Sequence, residues 1–558
     1  MTLLKKTDFP TALLITGLFA CGLFHEFMAC AAGIIMLIYL AVISVKEKSL
    51  RLYFNLCSAA VLAITAGYFI SIFYAVDAGA AIIGFARILP VPLYLLILMQ
   101  KEKQADDYLK AVPPVACLMT ISSAILMQIP VLTQWFSVSG RLAGFFQYSN
   151  TFALFLLAAF IITATKEKLE KADFIYLVSF VAGILYSGSR TVFILTAVSV
   201  AALVLFAKNK KYKIAFISIA AALTLSAVLY AVISGDFDTI GRFLTVSLKE
   251  STFVGRFLYF IDAIPVILRH PFGTGYLGYY FMEPAIQTGV YSVKSVHNDF
   301  LQLMLDVGII PALLLAAAII KAFLRKGATL RKRLLLLTIT AHCCFDFDLQ
   351  YIAFFMLFLL FLDYTDGREK EIKTSAAAAG ITATVLGALL LYIGVSQSFS
   401  YFRKYELAVK IYPLDTMTQI RILETADNSA ESEALADKVL KRNEYAAIAY
   451  NKKAQIAYSQ GDFEKVIEYK KKASSLAVFS YSTIEEYCYM LINGIYLYSN
   501  ANDEYSADVC KRELINAVKT VEGFNNRLSD LGKMIDDQPQ TQLPEDILEY
   551  VGRLTDEN

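Results

Sequence analysis

Long apolar blocks are the feature that most constrains the fold of this chain. Of its 558 residues, 57% are hydrophobic and only 18% are charged, below the roughly 25% typical of soluble proteins. A helix needs about 20 mostly apolar residues to cross a bilayer core, and about thirteen such blocks fit the chain. We place them at 9–25, 27–45, 52–75, 80–100, 111–130, 149–165, 173–189, 191–207, 214–234, 299–320, 334–347, 349–363 and 375–396. The sequence therefore predicts an all-α, polytopic membrane helix bundle.

Basic residues alternate with the predicted spans. Cytoplasmic loops of membrane proteins are enriched in Lys and Arg, and Lys5 and Lys6 precede the first span. Every second gap is then basic, namely 46–51, 101–103, 166–168, 208–211, 321–333 and 368–373. The short gaps around Glu26 and Asp77 contain neither Lys nor Arg. This pattern predicts a cytoplasmic N-terminus and puts both the 235–298 loop and the C-terminal end outside the cytoplasm.

The chain divides into a membrane domain at 1–396 and a polar, helical domain at 397–558. Residues 449–473 carry small residues at helix-crossing positions around a Gly461-Asp462 turn, which resembles one tetratricopeptide repeat. A generic helical bundle is the alternative. Helical repeats present concave surfaces to partner proteins, so a protein partner is expected to bind here if the chain has one.

Four side chains near the outer ends of spans are candidates for chemistry: Arg141, Arg190, Arg256 and His297. Arginine stays charged and forms paired hydrogen bonds to phosphate oxygens. Histidine can take a proton from a hydroxyl near neutral pH. The combination suits a lipid pyrophosphate donor that is attacked by a sugar hydroxyl.

Each of these side chains also has a structural interpretation. Arg190 could cap a span and reach the lipid headgroups. Arg256 could be an interfacial charge on an amphipathic helix. His297 could belong to a helix N-cap cluster with Asn298.

Polar residues inside predicted spans need partners, because lipid makes them costly. His342, Asp346 and Asp348 interrupt the apolar segment 334–363, and we expect them to pair structurally. A proton or ion path in a transporter is the alternative. Arg87 also lies within a span, and the sequence does not identify its partner.

Several short motifs follow one another between about residues 130 and 365 in a recognisable order. They comprise 144–150, Ser189-Arg190, the Arg256 segment ending in Pro-Phe-Gly-Thr-Gly at 271–275, His-Asn-Asp-Phe-Leu at 297–301, Gly-Ile-Ile at 308–310 and Asp-Phe-Asp at 346–348. Together they resemble the O-antigen ligase and polymerase superfamily. The tryptophan usual after the loop arginine is replaced here by the aromatic-rich run 257–260.

The resemblance implies a membrane glycosyltransferase of the GT-C type in the bacterial cytoplasmic membrane. Such enzymes transfer glycan from an undecaprenyl-pyrophosphate carrier to a saccharide or lipid acceptor outside the cytoplasm, by an inverting reaction without metal or cofactor. It implies that Arg190 and Arg256 hold the pyrophosphate and stabilise the leaving group, and that His297 either acts as general base on the acceptor hydroxyl or orients it. It further assigns Arg141, Asn298 and Gly275 to substrate binding.

The sequence is also compatible with other functions. A transporter or flippase of lipid-linked saccharide fits the many spans, although no internal repeat typical of transporters is evident. A peptidoglycan-type polymerase would use a similar donor. The motifs are shared by polymerases, lipid ligases and protein glycosyltransferases, so they do not identify the sugar or the acceptor.

Overall fold

The computed structural model describes residues 8–101, 104–206 and 251–556, and α-helices account for most of this part of the chain. Up to residue 401 the helices are α1 (Phe9–Phe19), α2 (Glu26–Glu47), α3 (Leu56–Ser71), α4 (Ala78–Ile88), α5 (Pro90–Met99), α6 (Ala105–Leu109), α7 (Val112–Leu126), α8 (Pro130–Phe136), α9 (Ser149–Ala164), α10 (Lys171–Ser187), α11 (Arg190–Phe206), α12 (Ser251–Arg269), α13 (Gly278–Ile286), α14 (Asp299–Val307), α15 (Ile309–Leu324), α16 (Leu330–Cys343), α17 (Ile352–Leu359) and α18 (Ala376–Tyr401). They continue with α19 (Tyr405–Ile411), α20 (Thr416–Thr425), α21 (Ala430–Arg442), α22 (Ala447–Ser459), α23 (Phe463–Leu476), α24 (Tyr481–Asn500), α25 (Glu504–Glu522), α26 (Phe524–Arg527) and α27 (Glu545–Asp556). The strands are β1 (Ser49–Phe54), β2 (Ser137–Val138), β3 (Arg141–Leu142) and β4 (Arg368–Lys373).

Several of these helices can cross a bilayer. Five described stretches are long and apolar enough: Glu26–Glu47, Ala78–Met99, Ala105–Leu126, Ser251–Arg269 and Ala376–Tyr401. Shorter apolar helices accompany them, among them Ser149–Ala164 and Ile309–Leu324. The all-α, polytopic membrane class is therefore confirmed. The GT-C likeness and the total of about thirteen spans stay predictions, and the predicted span at 214–234 lies outside the described residues.

Two predicted spans are each divided into two helices. The span predicted at 299–320 becomes α14 and α15, because Gly308 has a φ of 94° and a Cβ there would lie 2.6 Å from the Pro271 carbonyl oxygen. The span predicted at 80–100 becomes α4 and α5. Pro90 starts α5, at a position where the missing N–H of proline costs no helical hydrogen bond.

Segments predicted to lie on one side of the membrane contact one another. Strand β4 comes from the basic gap 368–373, whereas β1 begins in the basic gap 46–51 and ends at residue 54, inside the span predicted at 52–75. The two strands pair antiparallel, from Ser49 with Lys373 to Phe54 with Arg368. In another basic gap, Arg331 forms a 3.0 Å ion pair with Asp106. These contacts agree with the common side that the charge alternation predicts. Which side faces the cytoplasm stays a prediction.

The helices after α18 belong to two hydrophobic cores. Tyr412, Ile420, Leu423 and Val439 share one continuous core with the membrane helices, whereas a second core extends from Ala457 to Ile547. Within this region, α22 and α23 pack against each other across a three-residue turn. The tetratricopeptide likeness and the boundary at residue 397 stay predictions, and α18 itself runs on to residue 401.

The first C-terminal helices are fixed to the N-terminal end of α4. Asp77 and Asn443 are buried and form a 3.2 Å hydrogen bond, and Tyr412 donates to the Gly79 carbonyl. A Cβ at Gly79 would lie 1.9 Å from the Leu414 carbonyl oxygen, so only glycine permits this approach. The first C-terminal helices thus pack directly against the membrane bundle and are not joined to it by a linker alone.

The C-terminal region also contacts the predicted outer loop. The Ser529 N–H donates to the Thr288 carbonyl at 2.9 Å, and the Asp536 N–H donates to the Ser251 hydroxyl at 2.7 Å. Residues 251–298 and the C-terminal helices therefore lie on one side of the bundle.

Candidate active site

A buried carboxylate, Asp346, lies at the centre of the candidate site. It follows α16, in the connection to α17, and none of its surface is exposed. Its Oδ1 accepts hydrogen bonds from the Tyr148 hydroxyl (2.9 Å) and from the Phe347 N–H (3.1 Å). Its Oδ2 accepts from Asn150 Nδ2 at 2.7 Å. Donors from distant parts of the chain therefore converge on one side chain.

Two of the predicted catalytic residues also bind Asp346. His297 Nδ1 lies 3.3 Å from Oδ1, and Arg256 Nη2 lies 3.2 Å from Oδ2. The His297 and Arg256 side chains keep 23% and 18% of their surface exposed, so both face the carboxylate on one side and accessible space on the other. One buried anion thus positions an imidazole and a guanidinium beside each other.

The chain around His297 holds the ring in place. His297 itself has a φ of 50°, which is uncommon for residues with a side chain and is typical of functional or tightly constrained sites. The preceding Val296 is fully buried, and its N–H donates to Gln302 at 3.1 Å. The imidazole contacts the edge of the Phe347 ring at a centroid distance of 5.0 Å.

A second arginine, Arg141, is joined through Asn150 to the group formed by Asp346, His297 and Arg256. We call this group, together with Arg141 and Arg190, the arginine cluster. Arg141 Nη2 donates to Asn150 Oδ1 at 2.7 Å, and Arg141 Nε donates to the Ser187 carbonyl at 2.7 Å. Burial lowers the pKa of Arg141, and the nearby positive charges of Arg190 and Arg256 lower it further. Arg141 therefore lies close enough to Arg190 and to Arg256 for their charges to repel its own, and the Asp346 charge partly offsets this repulsion.

Arg190 reaches this region from the first position of α11. The Gly188 before it has a φ of 59° and contacts the Arg141 side chain, and a Cβ at Gly188 would lie 3.3 Å from Arg141 Nε. The turn between α10 and α11 thus brings Arg190 next to Arg141. The excess of positive charge makes the cluster suited to an anionic group such as a pyrophosphate.

Two predicted substrate-binding residues have other contacts. Asn298 caps α14, since its Oδ1 accepts from the Phe300 and Leu301 N–H groups at 3.0 Å each, and its Nδ2 donates to the Cys344 carbonyl. Gly275 has a φ of 82°, and a Cβ there would lie 2.3 Å from the Cβ of Ala75. Gly275 also donates its N–H to the Asp306 carbonyl at 3.0 Å, so its described contacts are packing and backbone contacts. Substrate binding by either residue stays a prediction without support from these contacts.

A buried polar group supports the loop that carries Asp346. His342 Nδ1 lies 2.5 Å from Asp348 Oδ2, and Thr151 donates to Asp348 Oδ1 at 2.8 Å. Asp299 accepts from the Leu349 N–H at 2.9 Å. Ligand atoms of Asp299, Cys343 and Asp348 lie within 4.8 Å of one another; both Asp348 oxygens have the partners given above, and Asp299 Oδ2 accepts from Leu349. The expected pairing of His342 with Asp348 is present, whereas Asp346 binds Arg256 and His297 instead.

The partner of Arg87 is also visible. Its guanidinium donates to the Gln350 side chain at 2.8 Å and to the Gln350 carbonyl, and it lies over the Tyr276 ring at 5.6 Å. Arg87 therefore fixes the connection before α17 and is fully engaged within the protein.

Comparison with known proteins agrees with the motifs. Residues 175–316, about a quarter of the chain, match a protein-family model described as O-antigen ligase. The match contains Arg190, Arg256 and His297, and it leaves Arg141 and Asp346 outside. No curated protein and no solved structure gives a significant match. The resemblance to the O-antigen ligase superfamily is thus confirmed, and it indicates glycan transfer of the ligase or polymerase type in surface polysaccharide assembly.

Proposed function

We propose that this protein transfers or polymerises glycan from an undecaprenyl-pyrophosphate-linked donor to a hydroxyl acceptor on the outer side of the bacterial cytoplasmic membrane. The observation that carries the proposal is the binding of His297 and Arg256 to the two oxygens of buried Asp346, with Arg141 joined through Asn150. A base and several permanent cations are thereby held side by side. Glycosyl transfer from a pyrophosphate needs both.

In this mechanism, His297 accepts the proton of the acceptor hydroxyl. Its Nδ1 is directed at Asp346, which leaves Nε2 for the acceptor. The carboxylate fixes the orientation of the ring and stabilises the imidazolium that forms. The acceptor oxygen attacks the anomeric carbon as its proton moves to Nε2, and the bond from that carbon to the pyrophosphate oxygen breaks.

The arginines stabilise the leaving group. The electron pair of the broken bond stays on undecaprenyl pyrophosphate, whose added charge is met by Arg256 and by Arg141 and Arg190 behind it. Guanidinium groups supply the compensating positive charge without the need for a metal ion. A single displacement inverts the configuration of the anomeric carbon.

Alanine variants of His297 and Arg256 test the proposal. A general base contributes about 10²–10⁴-fold to a rate, so His297→Ala should slow glycan transfer by about that factor. Arg256→Ala should slow it through weaker binding of the leaving group. The assay incubates purified full-length protein in nanodiscs with lipid-linked repeat units and follows the products by mass spectrometry.

Matched controls of the same residue types lie in the same predicted outer segment, 251–298. Arg269 is exposed at the other end of α12, and His270 follows it in the same outer segment. Arg269→Ala and His270→Ala should transfer glycan at rates close to wild type. Full activity of both His297→Ala and Arg256→Ala in well-inserted protein would refute the mechanism.

A transporter or flippase of lipid-linked saccharide is the alternative. Its support in the sequence is the number of predicted spans together with an arginine inside one of them, Arg87. That residue is bonded to Gln350 and contacts the Tyr276 ring, which is an arrangement typical of a structural role. Flipping of the donor without a new glycosidic bond would favour this alternative.

A further inference from the structure

A cleft lies at the seam between the membrane bundle and the C-terminal helices. It encloses about 240 Å³, slightly below the roughly 300 Å³ at which typical small-molecule sites begin. Its walls come from α2, the segment after α12, the end of α18 and the first C-terminal helices. We call it the junction cleft and define it by Glu26, Tyr276, Lys294, Tyr401, Tyr405 and Arg421.

Hydrogen bonds across the seam fix the walls of the junction cleft. Gln397 in α18 donates to Asp415 Oδ2 at 2.7 Å, and the hydroxyl groups of Ser400 and Thr418 lie 2.7 Å apart. Because these bonds connect α18 to the N-terminal end of α20, the cleft exists before any ligand arrives. A preformed cleft loses little conformational freedom on binding.

The lining of the junction cleft suits a saccharide. Aromatic rings such as Tyr401 and Tyr405 offer flat apolar surfaces to the C–H faces of a sugar, and polar side chains between them can bind its hydroxyl groups. The charged side chains of the lining already have partners, since Lys294 lies 3.6 Å from Glu26 and Arg421 forms a 3.0 Å pair with Glu424. Asp415 accepts hydrogen bonds from Gln397 and Thr418. The cleft therefore differs from the arginine cluster, which has an excess of positive charge.

Lys294 brings the junction cleft close to the candidate active site. It precedes His297 by three residues, so their Cα atoms lie within roughly 11 Å of each other. Its side chain is half exposed. The cleft thus shares a short chain segment with the proposed base.

Ring contacts give a second connection between the cleft and the site. Tyr401 contacts His25 at 4.7 Å between ring centroids, and His25 contacts Phe24 at 5.7 Å. Phe24 lies 6.4 Å from Phe347, which contacts His297 at 5.0 Å. These contacts form a row of neighbouring rings from Tyr401 at the cleft to the imidazole of His297.

We propose that the junction cleft binds the acceptor saccharide and presents its hydroxyl group to His297. The volume of the cleft is below that of typical ligand sites, so it binds a short section of the acceptor rather than the whole chain. This inference rests on the proposed function, because it assigns the acceptor of that reaction. It gives the C-terminal helices a direct part in substrate binding.

A binding measurement tests the cleft separately from catalysis. The full chain in nanodiscs is titrated with lipid-free oligosaccharides cut from the surface polysaccharide of the source organism, and binding is followed by saturation-transfer NMR. Tyr405→Ala and Lys294→Ala should each weaken binding about tenfold or more, through a lost aromatic contact or a lost hydrogen bond. Tyr505→Ala removes a tyrosine that is 78% exposed in α25, and it should bind as wild type does.

Transfer kinetics separate the two proposals. Tyr405→Ala should raise the KM for the acceptor about tenfold and leave kcat within about twofold, whereas His297→Ala should bind the oligosaccharide normally and lose transfer. No oligosaccharide binding by the wild type, or unchanged binding in both cleft variants, would overturn the cleft and leave the transfer reaction standing. Absence of transfer by the wild type would overturn the proposed function and, with it, the acceptor role of the cleft.

Discussion

Replacement of Asp346 by asparagine keeps the size of the side chain and removes its charge. The Asp346 oxygens accept from Tyr148 and Phe347 on one side and from Asn150 and Arg256 on the other. An asparagine has only one oxygen, so its NH₂ group must face at least two of these donors. The variant therefore disturbs the site through charge and hydrogen bonding together.

The expected cost follows from the donors left without an acceptor. Each buried unpaired donor costs about 1–3 kcal/mol, so two of them would cost about 2–6 kcal/mol. Arg256 and His297 keep part of their surface exposed, and water can replace some of the lost contacts. We therefore expect a loss of about 2–3 kcal/mol in the free energy of unfolding. Loss of the carboxylate behind a catalytic histidine lowers kcat by about 10⁴-fold in an unrelated hydrolase, and we expect a loss of about 10³-fold or more here.

Thermal melting and the rate of glycan transfer measure the two effects on the same preparation. The matched control is Asp363→Asn, since Asp363 also binds two cations, Arg325 at 2.7 Å and Lys332, but contacts none of the site residues discussed above. It should retain transfer at close to the wild-type rate. A transfer rate of Asp346→Asn within tenfold of wild type would refute the central role given to this carboxylate.

Two further predictions concern stability. Burial raises the pKa of Glu283 to about 8, although Gln287 donates a hydrogen bond to it. The folded protein therefore binds a proton here that the unfolded chain has lost. The free energy of unfolding should fall by up to about 1.4 kcal/mol per pH unit as the pH rises from about 4.5 to about 8. Glu283→Gln should flatten this dependence and melt higher than wild type at pH 8, and parallel melting curves for the two proteins across the range would contradict this. Gly308→Ala should lower the melting temperature by several degrees, because a Cβ there meets the Pro271 carbonyl at a positive φ. Gly380→Ala, in open space within α18, should leave the melting temperature unchanged or raise it, and equal effects of the two alanines would contradict the assigned strain.

The helical membrane class follows from the sequence because lipid imposes a strict rule. A backbone in lipid must satisfy its own hydrogen bonds, so apolar blocks of sufficient length become helices. Helix breaks are less apparent from composition. Gly308 divides an apolar block because the chain at Pro271 and Phe272 packs against it, and that contact joins segments more than thirty residues apart.

The residue types of the site were predictable, but their pairing was not. Arg256 and His297 were identified from motifs and from their expected side of the membrane. Their common partner, Asp346, was expected to pair with His342 and Asp348, which are its neighbours in sequence. The side chains that actually bind Asp346 lie 49 to 198 residues away, and only the packed fold brings them together. An acidic residue in an apolar segment was the available signal, since lipid makes such a residue costly unless it has a function or a partner.

Asn298 and Gly275 were predicted to bind substrate because they occur in motifs, but their contacts do not support that role. Both occur in motifs of the superfamily, yet their described contacts serve the backbone: Asn298 caps α14, and Gly275 permits a close approach to Ala75. A motif position can be required for the geometry of the chain as much as for contact with substrate. Sequence alone does not separate these two requirements.

The central claim is that this protein forms a glycosidic bond with His297 as the base. The most direct test incubates purified full-length protein with lipid-linked repeat units, with and without a free acceptor, and analyses both products by mass spectrometry. We predict one released polyprenyl pyrophosphate for each new glycosidic bond in the wild type, and a loss of both products by about 10²–10⁴-fold in His297→Ala. A ladder of products would indicate a polymerase, and a single chain added to a foreign acceptor would indicate a ligase. Movement of the donor across the bilayer without a new bond, or equal product formation by wild type and His297→Ala, would contradict the account.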